Sequence, residues 1–424
     1  MSYFNQNRKN ILIVIIFGIF ASVFMLWFVD YKISGDAINY LDSAKNISKH
    51  QVFSDDYSNN PQPSFYRPPL YSFYISIFLQ IFNSSTIAIQ SSQLLLHFIS
   101  AFLLAQIALK INEKSALIVF LLAVICPYNI MYTIAILSET LSSFFLICIF
   151  YFLVVIESRW KFVFCGIFLG LLTLTKDIYS LLVVFISIHI LIFGKEKYLA
   201  KSFNFLLIMF TFLLIVTPWT LRNYSLTDRF ILVSEGRLGY SLWTGTWATN
   251  PPIINTDKGD TFPEFPSNAF RSETEKINVM LALKEGINNH DSFFKHLAID
   301  RIKKEPIFVL KNYLLRAPRL WLGTRFDIFV LNKKIFPYGG NLWTVAKIIL
   351  YAINFLLIIL SILGMFYLFK KKSNYLTILL IPIVYTAAVY VPLNSFENRY
   401  SQPVYLFIIF FAAQYFSRFV KNKY

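Results

Sequence analysis

Six short stretches place ionisable and aromatic side chains directly beside long apolar runs. They are Ser34-Gly35-Asp36-Ala37-Ile38-Asn39-Tyr40, Tyr66-Arg67-Pro68-Pro69-Leu70-Tyr71, Ser138-Glu139-Thr140, Thr175-Lys176-Asp177, Pro218-Trp219-Thr220-Leu221-Arg222-Asn223 and Glu397-Asn398-Arg399-Tyr400. A charge held at the edge of lipid costs several kcal/mol, so charges kept there are candidates for function. Asp36 and Glu139 offer carboxylates that can accept a proton or hold a divalent cation. Arg67, Lys176, Arg222 and Arg399 can stabilise an anion as its charge develops. Tyr40, Tyr71, Trp219 and Tyr400 supply stacking surfaces and polar tips.

Each of these residues also has a plain structural explanation. Asp36 and Asp42 can cap a helix or sit solvated in a loop, and Glu139 in a first turn is favoured by the helix dipole. Lys176 and Arg222 can anchor a helix end by snorkelling to headgroups. Trp219, Trp243 and Trp247 fit an interfacial belt. His97 and His189 lie inside apolar runs, where hydrogen bonding between helices accounts for them.

The elements that position these residues follow from composition. Of 424 residues, 56% are hydrophobic and 15% charged, against about a quarter charged in a soluble domain. Apolar runs recur near the ~20 residues that cross a hydrocarbon core, and a run in lipid must be helical to satisfy its amides. The fold class is therefore an all-α polytopic membrane protein with about ten transmembrane helices. The expected spans are 11–29, 86–110, 115–135, 137–156, 161–175, 178–194, 202–219, 344–369, 375–393 and 400–417. Cys126-Pro127 is expected to break the third. The run Pro69–Phe82 is too short for a comfortable crossing.

Charge bias orients the chain. The formal net charge is +16, and it collects in short loops rather than in a patch suited to nucleic acid, so no nucleic-acid partner is expected. If Pro69–Phe82 does not cross, then Arg8/Lys9, Lys110/Lys114, Arg159/Lys161, Lys195/Lys197/Lys201, Lys370/Lys371/Lys372 and Arg418/Lys421/Lys423 all fall on one side. Both termini are then cytoplasmic, in a bacterial inner membrane, and the six polar stretches meet at the outer face. Arg8 and Lys9 before Ile11–Val29 resemble a signal sequence, but the run reads as an uncleaved first span. Cys126, Cys148 and Cys165 sit in apolar runs and read as packing residues. The chain divides into a membrane module 1–219 with outer loop 30–85, a modest mixed outer-face segment 220–340, and C-terminal helices 341–424. Residues Ser272–Leu322 have helical periodicity, with Ile277, Met280, Leu281 and Leu283 among charges.

Acids, cations and aromatics from several spans converging at one surface resemble the GT-C glycosyltransferases, family 39 in particular, which includes protein O-mannosyltransferases and the lipid A aminoarabinose transferase. Asp36 with Tyr40 and Ala44 looks like the family's first-loop motif, and Arg67-Pro68-Pro69-Leu70-Tyr71 is similar to its basic-Pro-Pro-Leu-Tyr signature. Leu137-Ser138-Glu139-Thr140-Leu141, Thr173-Leu174-Thr175-Lys176, Pro218-Trp219 and Arg399-Tyr400 with Pro403 match further positions. The chain departs in having Ala37 where the aminoarabinose branch has a second acid, and Glu139 where Asp is commoner.

The resemblance implies a membrane glycosyltransferase that moves a sugar from a polyprenyl-phosphate donor to a lipid, glycan or protein acceptor. It makes Asp36 the base, Glu139 a second catalytic residue that orients the acceptor, and Arg67, Lys176 and Arg399 the donor-phosphate ligands. Tyr40, Tyr71, Arg222, Trp219 and Tyr400 become substrate contacts. A cofactor Mg or Mn ion on Asp36 and Glu139 is an option, with a metal-free site preferred. One alternative is an undecaprenyl-diphosphate-dependent polymerase or ligase, which would lean on residues such as Arg301 or His296. Another is a lipid-linked sugar flippase or transporter, which would call for mid-span charges and an internal repeat.

Overall fold

In the computed structural model, residues 3, 6–56, 58–82, 85–236, 238–248, 265–323, 329–393 and 398–420 are described. Glu397, Lys421, Lys423 and much of the Gly/Pro/Asn-rich stretch after Trp247 lie outside them. Every one of the ten expected spans is represented by helix. Arg8–Phe28, Thr86–Ile111, Tyr198–Thr227 and Asn341–Lys370 are each long and apolar enough to cross a membrane. Glu113–Ile125 and Pro127–Ile134 form a pair bent by 46°, because Pro127 has no amide to donate and pushes Cys126 into an extended conformation.

Other apolar helices are shorter. Glu139–Val155 has 17 residues, Trp160–Thr175 has 16, and Leu182–Phe193 and Tyr405–Phe416 have 12 each. Tyr405 to Gln414 are buried on every side, as expected of a helix that is apolar all round. Polar pairs between helices add to van der Waals packing, since a polar group in lipid has no water to turn to. Tyr405 Oη donates to Asn354 Oδ1 at 2.7 Å, Gln414 Nε2 to Ser115 Oγ at 2.8 Å, and Gln402 Nε2 to Asn129 Oδ1 at 2.6 Å. Leu70–Ile81 is a helix of 12 residues, about 18 Å at 1.5 Å per residue, the same length as Leu182–Phe193 and Tyr405–Phe416.

The segment expected at 202–219 is longer than its apolar run. Tyr198–Thr227 carries Pro218 inside it and stops only at Asp228, whose φ of 52° is left-handed. Its added turns are held by a returning strand of chain: Trp219 Nε1 donates to Val233 O at 2.9 Å, Thr220 Oγ1 to Leu232 O at 2.7 Å, and Asn223 Nδ2 to Val233 O at 2.9 Å. Basic residues gather at one end of the bundle. There Lys110 pairs with Glu157 at 2.7 Å and Lys114 Nζ donates to Val420 O at 3.1 Å.

The compact units divide the chain elsewhere than the apolar runs suggest. The first comprises Met1–Ser234, Thr324–Ile383 and Gln402–Tyr424, and the second Glu235–Gly323 and Val384–Ser401. The chain rejoins the first unit after Gly323 because Phe329–Leu331 pairs antiparallel with Val29–Tyr31. The second unit, expected to be mixed, is helical among its described residues. Leu238–Trp247, Asp291–Lys304 and their neighbours bury Trp243, Trp247, Phe294, Val279 and Ala282. Ile277 and Leu281, expected on the apolar face of Glu273–Glu285, are more than half exposed. The carboxylate of Asp291 instead caps a neighbouring helix, accepting from Gly239 N at 2.9 Å and Tyr240 N at 3.1 Å.

Asn341–Lys370 and Tyr405–Phe416 are in close contact at Gly364, where a Cβ would lie 1.8 Å from Phe411 O. Gly364→Val should therefore destabilise the bundle by about 1–3 kcal/mol as overpacking does, lowering the thermal midpoint in detergent. A midpoint equal to wild type would show that the two helices are free to part.

Candidate active site

Asp36 opens the Asp36–His50 helix just after Gly35, whose φ of 54° turns the chain out of the strand before it. One turn further along, Tyr40 lies on the same helix face. Arg67 closes over both: its Nη1 donates to Asp36 Oδ1 at 2.9 Å, and the guanidinium lies 5.6 Å from the centre of the Tyr40 ring. Both members of the ion pair keep about a quarter to a third of their side-chain surface accessible, 26% for Arg67 and 30% for Asp36. Burial disfavours the charge on Arg67, and Asp36 and Tyr40 more than offset it, so its pKa is raised. The Tyr40 hydroxyl is pushed up to about 12, first by burial and then by Asp36. It stays protonated at neutral pH.

A relay of side chains connects this first loop to the second acid. The Tyr40 ring meets Tyr71 edge-on at 4.9 Å, and fully buried Tyr71 donates to Gln93 Oε1 at 2.8 Å. Gln93 Nε2 donates to Thr133 O at 3.0 Å and Ala135 O at 2.8 Å, while Gln90 Nε2 donates to Ile134 O at 2.7 Å. These amides take up the orphan carbonyls at the end of Pro127–Ile134, the groups a helix terminus leaves unpaired. The chain is thereby fixed just ahead of Ser138 and Glu139. Ser138 Oγ accepts from Tyr40 Oη across a long 3.5 Å.

Glu139 is the first residue of its helix, favoured there by the dipole, and its side chain is 3% exposed. Lys176, at the end of Trp160–Thr175, donates from Nζ to Glu139 Oε1 at 2.9 Å. Glu139 Oε2 is buried with no protein hydrogen-bond partner. Two acid–cation pairs, Asp36–Arg67 and Glu139–Lys176, thus flank Tyr40, one near solvent and one buried.

The other expected contacts fall differently. Arg222 donates from Nη1 to Ser64 O at 2.7 Å and from Nη2 to Phe53 O at 3.4 Å, with its guanidinium 4.5 Å over Trp219. Trp219 in turn meets Phe53 edge-on at 5.1 Å. These two side chains, expected as substrate contacts, tie the first loop to the Tyr198–Thr227 helix. Arg399 and Tyr400 belong to the second unit, where Tyr400 stacks on Tyr390 at 4.8 Å and Arg399 lies 5.0 Å over the Tyr400 ring. Arg301, a candidate in the diphosphate reading, is buried and donates to Ala269 O at 2.8 Å and Asn268 O at 2.7 Å; His296 is exposed. Gln90 and Gln93 are not among the residues expected at the site, although two amides three residues apart inside an apolar run are a legible signal, since each needs a partner there.

A divalent ion on Asp36 and Glu139 fits this donor set poorly. Each carboxylate already faces its own cation, Arg67 for Asp36 and Lys176 for Glu139.

Residues 66–221 match the dolichyl-phosphate-mannose-protein mannosyltransferase family. The archaeal oligosaccharyltransferase AglB from Archaeoglobus fulgidus, solved with an inhibitory peptide and a dolichol-phosphate, aligns with a TM-score of 0.54 and 14% identity over 98% of this chain. At that identity the likeness is one of fold, a polytopic helical membrane fold shared with AglB. The chain spans 50% of the AglB chain. ArnT from Cupriavidus metallidurans, solved apo and bound to undecaprenyl phosphate, aligns with a TM-score of 0.45 and 12% identity, over 78% of its own length. No curated protein sequence matches the chain. The family match takes in Arg67, Tyr71, Glu139, Lys176 and Trp219, and begins after Asp36.

Removing one member of a buried ion pair strands the other, at a cost of about 3–5 kcal/mol. Lys176→Met should therefore be more destabilising than the double variant Glu139→Gln/Lys176→Met in a denaturation series. Equal losses in single and double variants would mean that the pair is hydrated in the folded protein.

Proposed function

We propose that this chain is a GT-C glycosyltransferase, which transfers a sugar from a polyprenyl-phosphate donor to an acceptor hydroxyl or amine on the outer face of a bacterial inner membrane. The observation that carries the reading is the accessible Asp36–Arg67 pair standing beside the buried Glu139–Lys176 pair. The match to a dolichyl-phosphate-mannose family and the dolichol-phosphate in AglB support the donor class. The gathering of Lys110, Lys114, Lys161 and Lys195 at the bundle end away from Glu139 and Lys176 supports an outer-face site with cytoplasmic termini.

The chemistry follows from the two pairs. Arg67 holds Asp36 while the donor is absent, and a carboxylate in an ion pair is a weak base. A donor phosphate draws the guanidinium toward itself and leaves Asp36 free to accept a proton. The acceptor oxygen or nitrogen then attacks the anomeric carbon, and the bond from that carbon to the phosphate oxygen breaks. The acceptor's proton passes to Asp36, and the lipid phosphate departs with the electron pair. Arg67 and Lys176 stabilise the charge gathering on it. Glu139 holds Lys176 in place. No step requires a metal.

Asp36→Asn should lower the transfer rate from a radiolabelled polyprenyl-phosphate sugar by about 10²–10⁴-fold, as loss of a general base does, with membrane insertion unchanged. Arg67→Ala should raise the KM for donor more than it lowers stability. Full turnover by Asp36→Asn would sink the assignment of the base, and an unchanged KM would remove Arg67 from the donor site. Transfer should survive EDTA; its abolition, restored by Mg or Mn, would overturn the metal-free reading. Cys126, Cys148 and Cys165 are buried, so single cysteines introduced at Ser58 and Lys372 report topology against a low background. An impermeant maleimide should label the first from outside intact cells and spare the second; the reverse pattern would invert the proposed orientation.

A further inference from the structure

At the opposite ends of the helices that carry Glu139 and Lys176 lies a second cavity. Glu139–Val155 begins at the candidate active site and ends in this cavity's wall, and Trp160–Thr175 begins in that wall and ends at Lys176. With 17 and 16 residues, these helices separate the two places by about 24–26 Å at 1.5 Å per residue. That is close to the thickness of a hydrocarbon core, so the cavity opens at the other membrane interface. Its volume is about 610 Å³.

The cavity has a charged rim and an apolar wall. Val154, Phe162, Ile190 and Ile378 line it and are buried. Lys110, Lys161, Lys195 and His189 line its polar part, together with Glu157 and Glu196. Lys110 and Glu157 neutralise one another across 2.7 Å. Lys161 and Lys195 are in no salt bridge found among the described residues. They leave an excess of positive charge over the one remaining carboxylate, Glu196. A pocket with cationic donors at the interface and hydrocarbon beneath them matches a lipid: its phosphate at the lysines, its headgroup hydroxyls near Glu196, its chain along the apolar wall. Basic pockets between membrane helices recognise anionic headgroups in this way, and Lys is well suited to phosphate as a compact charge with three donors.

We propose that this cavity binds an anionic phospholipid with a hydroxyl-bearing headgroup, through Lys161 and Lys195, at a site separate from that of sugar transfer. The test uses purified, delipidated full chain in detergent. Native mass spectrometry and thermal midpoints are recorded with phosphatidylglycerol, phosphatidylcholine or inorganic phosphate. Phosphatidylglycerol should be retained and raise the midpoint, with little effect from phosphatidylcholine. Lys161→Gln/Lys195→Gln should weaken phosphatidylglycerol binding roughly 30-fold, at about 1 kcal/mol for each lysine near an anionic headgroup, and Lys161→Arg/Lys195→Arg should retain most of it. Equal retention of the two lipids, or undiminished phosphatidylglycerol binding by the glutamine variant, would overturn the proposal. Competition by millimolar inorganic phosphate alone would overturn the lipid reading in favour of a free-anion pocket. Should the glutamine variant fail to fold, discrimination between the two lipids by wild type decides the question. None of these readouts involves sugar transfer, so the outcome is independent of the proposed reaction.

Discussion

The buried ion pair between Glu139 and Lys176 is the constraint on which the rest of the first unit turns. A carboxylate and an ammonium taken out of water are tolerable only when they meet in good geometry. They come from the start of one helix and the end of the next, so their 2.9 Å contact fixes the relative height of both helices. The dipoles help: an acid sits at a helix N-terminus, and a base sits at a C-terminus. Everything that fixes the position of Glu139 then matters to the site, including Gln90 and Gln93 on the far side of a bent helix pair.

A gradient of exposure runs from this pair to Asp36–Arg67. The buried pair is nearly dry and rigid, and the outer pair keeps enough surface for a ligand to compete for the guanidinium. Tyr40 stands between them, protonated, with Asp36 one turn before it and Ser138 against its hydroxyl. This arrangement separates two jobs that one pair could not do together. A dry pair holds shape, and a wet pair can exchange partners. Arg222 and Trp219 contribute from outside, by clasping Phe53 and Ser64 so that the first loop cannot drift from the bundle.

Much of this was legible in the linear chain. Apolar length located the helices, of which four, or five with the bent pair, are long and apolar enough to cross a membrane among the described residues, because lipid leaves helix as the only way to satisfy the backbone. Pro127 announced the bend, since a missing amide breaks a helix wherever it falls. The residues of both ion pairs were identifiable too, because charges beside lipid are costly enough to stand out. Their partners were not identifiable: between Asp36 and Arg67 lie the rest of the Asp36–His50 helix and a stretch of irregular chain, and nothing local says which cation will face which acid.

Composition and periodicity determined the class of the protein, the positions of its helices and the short inventory of groups able to do chemistry, because these depend on properties each segment carries alone. Tertiary structure decided the rest. It made Arg222 a clasp, since a guanidinium goes to whatever carbonyls the fold presents. It extended Tyr198–Thr227 beyond its apolar run, since a returning strand supplied partners for Trp219, Thr220 and Asn223. It moved the boundary between units, since two three-residue strands far apart in the chain found each other. Each outcome depends on which groups meet across long stretches of chain, and that is information no single segment holds.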